Sequence, residues 1–131
     1  MTRRISAVTI VVPNYDEAIA FYVGSAGFHV VEDTDMGNGK RWVLIAPSPD
    51  AQTPILIAQA DGKKQTAAIG NQTGGRVGFF LHTDDFYTDF DRMTQSGVFF
   101  EEAPRDEPYG MVAIWRDPWG NRWDLLELKK S

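Results

Sequence analysis

The chain repeats itself at half its length. Val12-Pro13-Asn14 lies over Thr83-Asp84-Asp85, Gly27-Phe28 over Gly97-Val98, residues 42–46 over 112–116, and residues 54–60 over 122–128. The offset is roughly seventy residues, and self-similarity at one offset marks a single supersecondary unit used twice. The first copy opens with residues 5–12, a β-branched run that reads as a strand and is stopped by Pro13-Asn14. Asn14 or Asp16 caps a helix with Ala18, Ile19, Phe21 and Tyr22 on one face, ended by Gly24 and Gly27. Residues 28–31 read as a short strand, 35–40 as a turn carrying the hairpin signal Asn38-Gly39, and 41–46 and 54–60 as two more strands. In the second copy residues 76–83 are a strand. Asp84-Asp85 opens a helix striped by Phe86, Phe90 and Met93, and Ser96-Gly97 closes it. Strands follow at 98–101, 111–116 and 121–128, with a loop at 103–110 and a turn at Asp117-Pro118-Trp119-Gly120.

Each half is therefore βαβββ, and one such unit cannot bury both faces of its sheet alone. The pattern predicts an α+β fold, with two βαβββ modules in one chain forming a curved mixed sheet around a cleft. The modules cover about residues 4–60 and 76–129 of a single domain spanning residues 1–131. Residues 61–75 carry four glycines and no periodicity, and read as a linker or mobile loop.

Composition removes several classes of function. There is no cysteine, so no disulfide, thiolate metal site or Cys nucleophile is available. Thirteen Lys and Arg against eighteen Asp and Glu give a net charge of -5, which argues against nucleic acid and anionic membrane as partners and favours a neutral or cationic small ligand. No apolar run is long enough to span a bilayer. Arg3-Arg4 precedes an apolar run, but Pro13-Asn14-Tyr15-Asp16-Glu17 follows with no cleavage pattern, so a cytoplasmic protein is expected. Glycine-rich phosphate loops, the dinucleotide fingerprint and the nucleophile elbow are all missing from the sequence.

The local strings add a resemblance. Val11-Val12-Pro13-Asn14 leading to Ala20-Phe21-Tyr22, then Gly27-Phe28, Thr83-Asp84-Asp85, Ser96-Gly97-Val98 and the closing Arg116-Asp117-Pro118-Trp119-Gly120-Asn121-Arg122-Trp123-Asp124-Leu125 are similar to the vicinal oxygen chelate superfamily. That group holds glyoxalases, extradiol dioxygenases, fosfomycin-resistance transferases and bleomycin-binding resistance proteins. The resemblance implies the glyoxalase/bleomycin-resistance fold and a homodimer. It also implies a divalent ion (zinc, nickel, manganese or iron) held by the first and last strands of each module in metal-dependent members. Those positions fall on Ala7, Leu56, Gly78 and Asp124. Alanine, leucine and glycine cannot ligate a metal and one carboxylate does not hold it, so no metal ligand and no cofactor are expected.

Two readings follow. One is a metal-free protein binding a small aromatic or cationic molecule in its cleft, as bleomycin-binding relatives do. The other is a metal-dependent glyoxalase-like lyase, isomerase or extradiol-type dioxygenase with a non-standard site; whether the chain is an enzyme stays open. A third outcome, a structural domain, needs a cleft filled by its own aromatics. The resemblance puts Gly78 on the cleft face, and period two brings Phe80 and His82 with it. His82, Asp124 and Glu107 are the candidate acid–base groups. Trp42, Phe80, His82, Tyr109, Trp115 and Asp124 are the candidate ligand contacts, with Trp42 and Trp115 expected to face each other across the cleft. Arg122 or Arg116 is the expected ion-pair partner of Asp124, and Glu127, on the opposite face, is expected to be solvated.

Overall fold

The computed structural model describes residues 1–130, and its backbone contacts divide the chain into two units, Met1–Ile69 and the part from Gly70 onward. The first unit holds β1 (Val8–Val12), α1 (Tyr15–Ile19), β2 (His29–Gly37), β3 (Lys40–Ala46), β4 (Ile55–Gln59) and α2 (Gly62–Ala68). The second holds β5 (Val77–His82), α3 (Phe86–Gln95), β6 (Phe99–Phe100), β7 (Arg105–Glu107), β8 (Gly110–Arg116) and β9 (Arg122–Leu128). The two sheets are built alike. The first runs β1-β4-β3-β2 with β1 parallel to β4, and the second β5-β9-β8-β6 with β5 parallel to β9. The architecture is α+β, with the βαβββ order appearing twice and β7 added beside β8 in the second copy.

Strand alternation decides what each sheet buries. In the first unit Ile10, Val12, Val43, Ile45, Ile55 and Ile57 turn to the core with Tyr15, Ala18, Tyr22 and Phe28. The residues between them turn to the opposite, open face. Asn14 starts α1, its Oδ1 accepting the Glu17 amide at 2.8 Å, and the helix runs on into a π-helical turn over Ala20–Ser25. In the second unit the core is aromatic. Trp115 stacks on Trp123 with ring centroids 4.8 Å apart, and Phe79 stacks on the same indole at 4.8 Å. Helix α3 covers them with Phe86 and Met93. Its first turn is held by Asp85, which accepts the Thr88 amide, and by Glu127 Oε1, which accepts the Phe86 amide at 2.7 Å. Glu127 is thus a half-buried anchor for α3 and not the solvated residue expected.

Three elements differ from the sequence reading. Strand β2 does not end near residue 31 but continues to Gly37, because the ladder with β3 still finds partners in Asp33↔Val43, Thr34↔Trp42 and Asp35↔Arg41. The hairpin then closes on Asn38 and Gly39, both left-handed at φ 57 and 78, the pairing a type I′ turn requires. Helix α2 lies inside the segment read as a linker. It shows no periodicity because it has no buried residue and therefore no apolar stripe to reveal it. The loop at 103–110 contains β7, which pairs with β8.

Candidate functional site

The open face of the first unit carries a depression of about 570 Å³. Its floor follows from the pleat. With Val43 and Ile45 buried, Trp42 and Leu44 must face the other way, and with Ile55 and Ile57 buried so must Leu56 and Ala58. Thr9 pairs with Leu56 and Leu44 pairs with Leu56, so three strands meet at that leucine. Trp42, 39% exposed, stands over this apolar floor. Lys40, Arg41, Gln59 and Asp61 form the polar rim.

Arg41 is fixed in place. Its Nε and one terminal nitrogen grip Asp33 at 3.1 and 2.7 Å, its other terminal nitrogen reaches Asp16 at 2.8 Å, and its guanidinium lies over the Tyr15 ring at 5.2 Å. The Arg41 amide donates to the Tyr15 hydroxyl at 3.2 Å. Hydrogen bonding to Arg41 holds the Asp33 carboxyl below its usual range, and the bonds to Asp33 and Asp16 push the Arg41 guanidinium further up. The charged residues lining the depression are thus Lys40, Arg41 and Asp61, and the Arg41 charge is answered by Asp33 and Asp16.

The open face of the second unit has different chemistry at the matching node. Asp124 pairs with Phe80 on β5 and Ile114 on β8, where the first unit has Leu56 between Thr9 and Leu44. Asp124 is half-buried, and no donor in the described residues reaches its buried Oδ1. Desolvation raises its carboxyl pKa; the Arg105 and Arg122 charges oppose that and Glu102 adds to it. Neither expected arginine pairs with it. Arg122 and Arg116 both bind Glu101, at 2.7 Å each, and hydrogen bonding to Arg122 holds the Glu101 carboxyl low. Arg105 binds Glu102 at 2.9 Å and Glu107 at 3.3 Å. Glu102 also accepts the Ile114 amide at 3.0 Å.

The residues singled out in the sequence scatter over these surfaces. Trp42 lines the depression of the first unit, while Phe80 and Asp124 are register neighbours in the second. His82 lies two residues beyond Phe80, exposed at the end of β5. Tyr109 is exposed in the turn between β7 and β8, where its carbonyl accepts the Lys129 amide. Glu107 is held in its ion pair with Arg105. Trp115 is a correction: it is fully buried, stacked on Trp123 in the core of the second unit, and lines no open surface there. Tyr15, Arg41, Asp33 and Asp61 were missed. A usable signal existed, because a hairpin centred on Asn38-Gly39 brings Arg41 back alongside Asp33 and Asp35.

The donor set does not fit a divalent ion. Among the described residues no three His, Cys, Asp or Glu side chains come together to hold one, and the side chains of Ala7, Leu56 and Gly78 carry no donor. No helix of the described residues is long and apolar enough to cross a membrane.

Comparison with known proteins agrees with this architecture. An uncharacterized protein of Shewanella frigidimarina is 44% identical over 129 residues, covering 98% of this chain and 96% of its own. The structure of UcmS2 superposes with a TM-score of 0.82 at 30% identity, covering 96% of this chain and 98% of that one. TnmS3, described as an antibiotic binding protein from Streptomyces sp. CB03234, superposes at 0.80 with 27% identity, covering 98% of both chains. A family model matches residues 4–125. The chain belongs to the Glyoxalase/Bleomycin resistance protein/Dioxygenase superfamily.

Proposed function

We propose that this chain binds a small aromatic or cationic molecule, without a metal ion, in the depression beneath Trp42. One observation carries the reading: an exposed indole stands over an apolar floor in a depression of about 570 Å³. That volume lies in the range of small-molecule sites, roughly 300–1,000 Å³. A flat indole suits a planar ligand or a cation over its face, and the chain's net charge of -5 favours a positive one. The arginine bound by Asp33 and Asp16 is preorganised, so little side-chain entropy is lost when a ligand arrives. The description of TnmS3 as an antibiotic binding protein supports the same class of function.

The test is a binding screen of planar aromatic cations and their neutral analogues, read by tryptophan fluorescence and calorimetry in the presence of EDTA. Saturable binding that Trp42→Ala weakens by about tenfold or more is expected, the size of a well-desolvated aromatic or cation–π contact. Binding that vanishes with EDTA and returns with added metal would overturn the metal-free reading. Equal binding by the Trp42→Ala chain would overturn the site.

A further inference from the structure

The second unit carries a charge that its own residues leave unanswered. Its open face holds three arginines, Arg105, Arg116 and Arg122, and four carboxylates, Glu101, Glu102, Glu107 and Asp124. Every guanidinium is engaged by a glutamate: Arg116 and Arg122 by Glu101, Arg105 by Glu102 and Glu107. Asp124 is the surplus. It is also the one placed worst for solvation, with Oδ1 buried and no donor of the described residues within reach. A buried acceptor left in that state costs stability, and folded chains keep few of them without a use.

Its surroundings indicate what would answer it. Asp124 is half-buried, so it can be approached from the open side of the sheet. Phe80, its register partner on β5, is 65% exposed on the same face, and Ile114 flanks it on β8. A group that satisfies the carboxylate must donate hydrogen bonds, and the surplus charge favours a cation over a neutral donor. An exposed ring beside it favours a ligand with a flat apolar body.

We propose that Asp124 and Phe80 form a recognition point for a protonated amine carried on an aromatic body. This goes beyond the reading for the first unit and does not rest on it, since the two surfaces belong to different units and use different residues.

The probe is 2-phenylethylammonium, with 2-phenylethanol as its neutral counterpart of similar size. Amide shifts in the ¹⁵N-labelled chain are followed during each titration. The expected result is saturable movement of the Phe80, Ile114 and Asp124 amides by the ammonium. Asp124→Asn, which keeps the volume and removes the charge, should weaken that binding by about tenfold or more, the scale of a charge-assisted hydrogen bond. Phe80→Ala, at an exposed position, should weaken the ammonium and the alcohol alike. Far-UV circular dichroism establishes that both variants are folded. Equal affinity for ammonium and alcohol, or an unchanged affinity in Asp124→Asn, overturns the proposal. Shifts confined to Trp42 and its neighbours overturn it too, while leaving the reading for the first unit standing.

Discussion

Asp117 closes the β8–β9 hairpin, and the cost of removing it can be worked out from its partners. Its carboxylate is 4% exposed. Oδ1 accepts the amides of Trp119, Gly120 and Asn121 at 3.1, 3.0 and 2.9 Å, and Oδ2 accepts the Asn121 side-chain amide at 2.6 Å. Asp117→Ala takes the acceptor away from four donors, but they do not suffer equally. The Gly120 amide keeps a second acceptor in the Asp117 carbonyl at 3.2 Å, and Trp119 is half-exposed, so its amide can turn to water. Asn121 is buried, and its backbone and side-chain donors both lose the acceptor the structure gives them. A buried donor left without a partner costs about 1–3 kcal/mol. Two donors that shared one carboxylate are not additive, so about 3–4 kcal/mol is expected for the pair. Asp117→Asn keeps an oxygen for the three backbone amides, and Asn121 can turn its own amide over to meet the new one. That variant should cost only about 1 kcal/mol, one ordinary hydrogen bond. Urea unfolding followed by far-UV circular dichroism and by fluorescence reads both numbers, provided the two probes give coincident transitions. Equal costs for alanine and asparagine, or a cost for alanine below about 1 kcal/mol, would refute the claim that this carboxylate organises the turn.

Other consequences are as direct. Gly70 sits at φ +72, and a Cβ there would fall 1.7 Å from the Trp119 carbonyl oxygen, whereas Gly74 at φ +70 has open space around it. Gly74→Ala should therefore cost about 1–2 kcal/mol, the left-handed penalty alone, and Gly70→Ala clearly more; equal costs in urea unfolding would show the clash to be relieved freely. Trp115→Ala, at a fully buried site, should cost about 3–5 kcal/mol in the same assay. Asp124→Asn should stabilise the chain at pH 7 by up to about 1 kcal/mol, the low end of an unsatisfied buried acceptor. The sign follows from linkage. The folded Asp124 carboxyl keeps its proton to higher pH than the unfolded one, so stability falls as pH rises through that window, and the gain from asparagine should vanish below it. Glu101 runs the other way: its lowered carboxyl contributes stability at neutral pH that is lost as the medium turns acidic, and Glu101→Gln should flatten that acid limb.

Much of the fold was legible because turn chemistry and alternation are local. Asn38-Gly39 demands left-handed backbone at both positions, and the hairpin closes there. What escaped was structure with no periodic signature. Helix α2 buries nothing, so no stripe betrays it, and β7 is three residues long. The misplacement of Trp115 has a different origin. The turn between β8 and β9 pairs Arg116 with Arg122, which forces Trp115 opposite Trp123 and Ile114 opposite Asp124. Neighbours along a strand point to opposite faces. Trp115 and Asp124 therefore cannot share an open face, and a ligand site containing both was inconsistent with the very turn that identified the hairpin. Alignment of the repeats carries the same information, because it sets Trp115 over Ile45, a core residue, and not over Trp42.

The two copies now differ in an instructive way. Leu56 and Asp124 occupy one node of one sheet design, each flanked by a parallel first strand and an antiparallel third. Backbone pairing is indifferent to which side chain stands there, since ladder bonds use only main-chain atoms. The open face can therefore carry different chemistry in the two copies. In the first copy the node is an apolar floor beneath Trp42, and the nearby Arg41 is paired with Asp33 and Asp16. In the second it is a carboxylate whose neighbouring arginines are bound elsewhere. Of the four positions that the resemblance matches to metal ligands, Ala7, Leu56, Gly78 and Asp124, only Asp124 carries a donor side chain. Substituting Asp124 and substituting Trp42 therefore probe separate chemistry in separate copies, and a ligand that responds to only one of them reveals which copy holds it.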